Sequence, residues 1–493
     1  MSWKQCLEKV AEGHYVLPRT KTMRVHADLF LSDKLLWGEG GPDSPGLEEA
    51  VFDQVVNAAT FPGVTRVAIT PDCHVGYGVP IGTIVETDGV LLPTAAGYDI
   101  GCGMVQLQTS LTVEDVADPA KRRQWINEVT ERIAVGVGAE RARKQRRLNE
   151  STVKEVLRHG AKALGRGSSV TERDFIPVED TGVDIPGRAY DKRGQLGSLG
   201  GGNHFTEMQV DEQGRVWVML HTGSRGFGWN IAKHFFVEGA AHLGLKSRSE
   251  DLIWLDADSA LGRDYWNLHN MAANFAVANR LLIGEAVCGA LEDVFGGTAS
   301  IYYEISHNLI QREAGKFVAR KGATRAFPGG HPALKGTPWE ATGHPILIPG
   351  SMETGSAILF AEPGAEKSIY SVNHGSGRRL SRAAARRQLQ QAETDQRMKE
   401  AGILLNTRVT PLDESGPCYK NLDDVLETVE QAGLARVAHR LKPVACIKGA
   451  DWRSSPACRR VSSAASRASR AFSRSCSSSA DGAGTSVSSC LLY

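Results

Sequence analysis

TRVAITPDCHVGYGVPIGTIVETDGVLLPTAAGYDIGCG, residues 65–103, alternates two kinds of segment. TRVAIT (65–70) is short, apolar and rich in β-branched residues, and predicts a buried strand. IGTIVETDGVLLP (81–93) predicts a hairpin turning at Asp88-Gly89, since glycine supplies the positive φ that a tight turn needs. After the first strand comes PDCHVGYG (71–78), and after the hairpin GYDIGCG (97–103). Both are loops dense in Gly, His and Asp, so regular strands here deliver polar, glycine-flanked loops.

The same alternation recurs along the chain. RVWVML (215–220), AILFAE (357–362) and SIYSV (368–372) predict further strands, and long helices are expected at 264–294, 378–401 and 421–432. The last is capped by Asn421, carries acidic residues in its first turn and has Gly433 just beyond its end. Strands interleaved with helices predict a mixed α/β (α+β) protein, a single large domain over 1–450 with β-sheets flanked by helices. No internal repeat is visible. At about residue 450 the composition changes abruptly: 451–493 holds fourteen Ser and six Arg, no Lys and few large aliphatics. Such a segment buries too little apolar surface to offset its ordering entropy, so a disordered Ser/Arg-rich low-complexity tail is expected there.

The 493 residues are 41% hydrophobic and 23% charged with a net charge of +1, enough for a large core and outside the disordered range. Without an apolar run of about 18 residues, no transmembrane helix is expected. The N-terminus lacks a secretory h-region, so the expected location is cytoplasmic, with no membrane partner. Nine cysteines, an odd number with no CxxC pair, do not make a disulfide framework. Near-neutral charge confines nucleic-acid binding to local basic patches.

GGGNHF (200–205), LHTGSRG (220–226), NHGSGR (373–378) and EISHN (304–308) join the two loops above. Glycines allow close backbone approach and leave an imidazole accessible, so these loops predict one polar site assembled from distant segments. Its metal-ligand inventory is Asp99, Cys102, His204, His221 and His307. A mixed Cys/His/Asp set suits zinc, iron or manganese. GGGN, TGSRG and GSGR offer backbone N–H groups and an Arg, the arrangement that cradles phosphate. Arg378, Arg382 and Arg386 recur at four-residue intervals along one helical face. RARKQRR (141–147) is a second basic run and a candidate RNA contact.

Taken together, PDCHVGYGVPIGT, GYDIGCGM, SLGGGNHF, HTGSRGFG, RKGATRAFPGG, LIPGSM, NHGSGRRLSR and LKPVACIKG resemble, in order, the motifs of the RtcB family of RNA ligases over about residues 60 to 449. The resemblance implies a two-manganese site that uses GTP. Cys102 would bridge both Mn2+ ions, with Asp99, His204, His221 and His307 completing their shells; which His serves which ion stays open. His374 would be guanylylated. Asn203 and Asn308 would contact phosphates, and Ser351, Ser376, Gly377 and Arg378 would lie against the nucleotide. Glu207, Ser356 and Lys448 would read the guanine edge, with Tyr419 stacked on its ring. The implied reaction joins an RNA 3′-phosphate or 2′,3′-cyclic phosphate to a 5′-hydroxyl through a His374-guanylate, in tRNA splicing or RNA repair. Partners would be cleaved RNA and GTP, with room for an activating helper protein.

Three departures stand out. The Ser/Arg tail is foreign to the family, Glu353 stands where the family tends to have Gly, and the pattern at 71–78 is closer to less-studied branches. Asp72 and His74 are candidates either for orienting the 5′-hydroxyl or for forming a turn. Other readings are an enzyme that guanylylates ends without joining them, a metal-dependent phosphoesterase, and a non-catalytic RNA-binding protein with a relic site. The guanine-site residues count against the phosphoesterase, and the intact ligand set with His374 counts against the relic.

Overall fold

Two antiparallel-rich sheets organise the chain in a computed structural model that describes residues 2–20, 22–39, 46–165, 176–245 and 252–449. The expectation of a disordered tail at 451–493 lies outside the described residues. The first sheet runs in the order Glu8–Ala11, His14–Leu17, Ala27–Leu29, Val64–His74, Ile81–Thr87, Lys316–Lys321, Asn308–Glu313. The second runs Ala299–Ser306, Gly103–Thr112, Arg215–Thr222, Phe205–Asp211, Ala435–Lys448, Ser356–Ala361, Pro345–Pro349, with Leu404–Leu405 beside Ala435–Lys448. The mixed α/β class is therefore observed, and the six described cysteines are all free.

Side-chain alternation places the core. Along Arg215–Thr222, Val216, Val218 and Leu220 enter a cluster with Trp125 and Ile126 of the Pro119–Arg132 helix and Ile283 and Val287 of a long helix, Ala260–Phe295. Trp217 and Met219 point to the other face, with Met104, Phe205 and Ile358. The long helix is buried on nearly every side through its middle, so the polar side chains it carries there need partners within the protein. Its buried asparagines hold connecting segments: Asn267 Oδ1 accepts from Glu179 N and Asp180 N, and Asn279 Oδ1 from Gly197 N and Ser198 N. No described helix is long and apolar enough to cross a membrane.

Several local expectations need correction. The chain does turn at Asp88-Gly89, with Gly89 at φ +68, but no hairpin forms. Both edges of Ile81–Thr87 are occupied by Val64–His74 and Lys316–Lys321, so the returning Val90–Leu91 pairs with Leu255–Asp256 instead. The first strand continues through PDCH to His74, past a register shift between Ile69 and His74. The 378–401 helix is two helices, Arg382–Gln388 and Gln391–Glu400, interrupted by extended backbone at Leu389 and Gln390. Arg378 therefore lies ahead of the helix that carries Arg382 and Arg386. In SIYSV only the end is strand (Ser371–Asn373), because Ile369 and Tyr370 adopt left-handed backbone at φ 56 and 47. The strands at 215–222 and 356–361 and the helices at 260–295 and 422–431 match expectation, the last capped by Asn421.

Candidate active site

Strand register gathers the ligand set. Ile305, Met104, His221, Phe205 and Lys448 are successive cross-strand partners in one row of the second sheet. His204 immediately precedes Phe205, and Cys102 lies two residues before Met104. His307 is the single residue between Ala299–Ser306 in one sheet and Asn308–Glu313 in the other. GYDIGCG closes on itself through Cys102 N–H donating to Asp99 O at 3.0 Å. Gly101, at φ +74, packs against the long helix where a Cβ would stand 2.8 Å from Ala276 Cβ.

The ligand atoms fall into two groups that share Cys102: Cys102 with His221 and His307, and Asp99 with Cys102 and His204. Cys102 Sγ is 3.1 Å from His221 Nε2 and 3.4 Å from His204 Nε2. His221 Nε2 is 3.3 Å from His307 Nε2, and His204 Nε2 is 3.2 Å from Asp99 Oδ2. Such converging donors suit cations better than one another, and remote anchors aim them. His204 Nδ1 is 3.0 Å from Leu199 O and His221 Nδ1 is 3.2 Å from Asn203 O, which leaves each Nε2 lone pair for a metal. Arg225 Nη1 is also 2.9 Å from His204 Nδ1; once Nε2 is a ligand, the Nδ1 proton belongs to Leu199.

Electrostatics agree. Burial, reinforced for His221 and His307 by neighbouring histidines, holds all three imidazoles below their ordinary range and so neutral, as ligands must be. Burial pushes the Asp99 carboxyl up, but the hydrogen bond from His204 and the charge of Arg225 bring it down to about 2. Burial, then Asp99, push the Cys102 thiol well up in the protein alone; a coordinated divalent cation reverses that preference. The residues fit metal binding in two ligand groups that share Cys102, and the grouping pairs His204 with Asp99, and His221 with His307.

His374 faces this centre, its ring 4.7 Å from that of His307. Its Nδ1 lies 2.7 Å from Asp72 Oδ2, and Asp72 is fully buried with Thr70 donating to its other oxygen at 2.6 Å. Burial alone would raise the Asp72 carboxyl; its contact with His374 and the hydrogen bonds from His374 and Thr70 hold it below its ordinary value. Asp72 thus orients His374. His74 turns its Nδ1 to the backbone carbonyl of Asp72 at 3.0 Å, a local contact. Gly377 presses on the same segment, where a Cβ would come within 2.1 Å of Asp72 O.

Beside His374 the buried Asn373 Oδ1 and Ser376 Oγ have no hydrogen-bond partner. Asn203 is exposed at the rim, while Asn308 is tied into the scaffold, donating to Asp99 O at 3.4 Å and accepting from Gly322 N at 2.8 Å. The Ser351 hydroxyl serves its own turn, accepting from Glu353 N and Thr354 N. Glu353 is neutralised by Arg397 at 2.9 Å and accepts from Gly416 N at 2.8 Å.

Glu207 lies two residues along its strand from Phe205, and Gln209 Nε2 bridges Glu207 Oε1 at 2.7 Å and Ser356 Oγ at 2.9 Å. Arg378 lies over the Tyr419 ring at 5.2 Å. Glu414, which the sequence did not single out, ties this end together. It accepts from Lys448 Nζ and Tyr419 OH, each at 2.8 Å, and from Arg382 at 2.6 Å. Burial raises its carboxyl, and Lys448 with Arg382 more than reverse that. Gln209 and Arg280 are likewise tertiary partners. Arg280, fully buried against Glu304, donates to Gly101 O, Thr222 O and Ser306 Oγ and so joins three ligand-bearing segments. The 141–147 run is largely spent on acidic neighbours: Arg143 on Glu131, Lys144 on Glu128 and Arg146 on Glu285.

Comparison with known proteins gives the family. A family model described as "tRNA-splicing ligase RtcB" matches residues 54–449. A tRNA-splicing ligase RtcB of Archaeoglobus fulgidus is 34% identical over 91% of this chain and 100% of its own length. That of Thermococcus kodakarensis is 33% identical over 90% and 99%. An RNA-splicing ligase RtcB of Mycobacterium tuberculosis is 35% identical over 80% and 100%.

Proposed function

Because the chain belongs to the RtcB family, we propose that it is an RNA ligase, joining a 3′-phosphate or 2′,3′-cyclic phosphate end to a 5′-hydroxyl with GTP and two manganese ions. The observation that carries this reading is the Asp72–His374 pair set against two ligand groups that share Cys102. Asp72 occupies Nδ1 of His374, leaving Nε2 as the nucleophile. Attack of Nε2 on the α-phosphorus of GTP forms an N–P bond, breaks the α–β phosphoanhydride and releases pyrophosphate. The positive charge that develops on the ring is stabilised by the Asp72 carboxylate, which keeps the proton at Nδ1.

The N–P bond then breaks as a 3′-phosphate oxygen takes the GMP. A 5′-hydroxyl attacks the activated 3′-phosphorus, GMP leaves and the strands are joined; a cyclic phosphate is first opened by water. Cations held by Asp99, Cys102, His204, His221 and His307 would neutralise phosphate charge. Preference for GTP follows from Glu207, which can accept from guanine N1–H and its exocyclic amine, a pattern adenine does not present. Ser356 and Lys448 flank it, Tyr419 supplies a stacking ring, and the unpartnered Asn373 and Ser376 oxygens support a ligand beside His374. Asn203, Arg378 and Gly377 line the phosphate side; the contacts of Asn308 and Ser351 favour scaffold roles for both. On this reading the protein works in the cytoplasm on cleaved RNA, with a place for an activating helper protein.

Incubation with α-labelled GTP and manganese, followed by denaturing electrophoresis, tests it. Wild type should carry an acid-labile label and His374→Ala none. Asp72→Asn should bind GTP with similar KM but label roughly a hundredfold or more slowly, as expected when a base or nucleophile loses its orienting carboxylate. An unlabelled, metal-loaded wild type would overturn the ligase reading.

A further inference from the structure

A second cleft, of about 480 Å3, lies away from the metal ligands, between the Asn308–Lys321 hairpin and the 325–344 segment. Trp339, His331 and Tyr370, all part-exposed, and the buried Phe327 line it, with Arg66 and Arg325 at its margin. Its size is that of a pocket for one small ligand.

Three observations point to what it takes. The first is backbone strain. Four described non-glycine residues have positive φ: Arg225, which touches His204, and Ala314, Ile369 and Tyr370, all at this cleft. Ala314 is explained by its two-residue hairpin turn with Gly315. Ile369 is the left-handed C-cap of the Pro363–Ser368 3-10 helix, a strained choice because a β-branched residue is poorly suited to that backbone, and Tyr370 follows it in the same conformation. They are held there by Tyr370 N–H on Ala365 O at 2.7 Å and Ala326 N–H on Tyr370 O at 2.7 Å. Strain that a fold maintains concentrates at binding sites.

The second is chemistry. Aromatic faces beside guanidinium groups suit a base with its phosphate, since stacking is tolerant of base identity and the cation takes the backbone. Among the described residues Arg66 donates to the carbonyls of Glu366 and Lys367 and has no carboxylate within ion-pair distance, although Glu86 is its cross-strand partner. The acids at the cleft are engaged: Glu313 with Arg320, and Glu86 with Thr65 and Lys316.

The third is position. A two-stranded ribbon, Ala323–Arg325 paired with Ser371–Asn373, connects cleft and nucleophile. Arg325 and Tyr370 are at one end, and Gly322 and His374 at the other. Three residue pairs span roughly 10 Å.

We propose that this cleft binds a nucleotide of the single-stranded RNA whose end reacts at His374, stacking its base on the Trp339 and Tyr370 rings and setting its phosphate by Arg66. The proposal rests on the RNA ligase reading. It makes RNA affinity separable from GTP chemistry.

The test uses a short fluorescein-labelled single-stranded RNA ending in a 3′-phosphate, with full-length wild type and Trp339→Leu, which keeps apolar bulk but removes the indole. Anisotropy should show RNA Kd raised roughly tenfold in the variant, while labelling by α-labelled GTP, which needs no RNA, is unchanged and shows the variant folded. Should Trp339→Leu fail to fold, photo-crosslinking of wild type with 4-thiouridine RNA decides alone, with adducts expected in the peptides bearing Trp339 or Tyr370. RNA affinity unchanged in a labelled variant, or crosslinks only elsewhere, overturns the cleft assignment while wild-type labelling leaves the ligase reading standing. Displacement of RNA from the cleft by free nucleotide alone overturns the strand assignment in favour of a mononucleotide site. A wild type that neither labels nor binds RNA overturns both.

Discussion

At the residue scale, Glu207, proposed above to read the base, carries a cost in the free protein. Burial lifts its carboxyl from 4.5 to about 7 against the opposing Gln209 amide and Lys448 charge. An acid raised in the folded state contributes no penalty below its unfolded pKa. Stability is then lost as pH climbs through the interval up to the folded value, and the loss is complete above about pH 7. The gap corresponds to about 3 kcal/mol. Glu207→Gln removes the ionisable group while preserving its shape, so the variant should melt at higher temperature than wild type at about pH 8 and at the same temperature at about pH 4. Thermal unfolding at the two pH values checks this; equal melting at the higher pH would mean that Glu207 is already satisfied. The substitution should also erase discrimination for guanine, which links the stability cost to the site's purpose.

At the element scale, the ligand-bearing loops are positioned by a helix that the sequence marked only as a long helix at 264–294. Arg280 projects from Ala260–Phe295 to Gly101 O, Thr222 O and Ser306 Oγ and is paired with Glu304 where both side chains are fully buried. Arg280→Met leaves that carboxylate unpaired in the core and should cost about 3–5 kcal/mol. Adding Glu304→Leu should recover most of it, because replacing a whole buried pair by apolar groups is nearly neutral. Urea unfolding of both variants measures the two effects. No recovery would show that the loop contacts, not the stranded charge, dominate. The helix was legible from its long apolar span, and so were the glycine-flanked loops. The partner residues were not: Glu414 is one of 56 acidic residues, and nothing near it in sequence reveals that Lys448, Tyr419 and Arg382 converge on it. The missed hairpin and the broken 378–401 helix have similar causes. Edge occupancy of Ile81–Thr87 is decided by Lys316–Lys321, over two hundred residues away, and no proline or glycine marks the break at Leu389-Gln390.

At the scale of the whole molecule, the ligand groups are where the two sheets meet. His307 is the junction between them, and Cys102 immediately precedes Gly103–Thr112, the second strand of one sheet, while its carbonyl accepts from His307 N at 2.7 Å. Ligands spread from residue 99 to 307 mean that a bound cation closes long loops and ties both sheets to one point, so metal binding and global stability are coupled. The shared thiolate makes the coupling asymmetric. Cys102→Ala should bind no manganese after dialysis, because both groups lose a ligand and the negative charge between them. His307→Ala should retain about half the wild-type metal, since Asp99, Cys102 and His204 form the other group without it. Chelation should lower the unfolding temperature of wild type most, of His307→Ala less, and of Cys102→Ala not at all, at a free-metal level a hundredfold over Kd worth about 2.7 kcal/mol. Elemental analysis beside thermal unfolding distinguishes the cases. Full metal in Cys102→Ala would sever the bridge, and equal loss in both variants would show that the two groups fill together, so that the junction rather than the thiolate sets their cooperation.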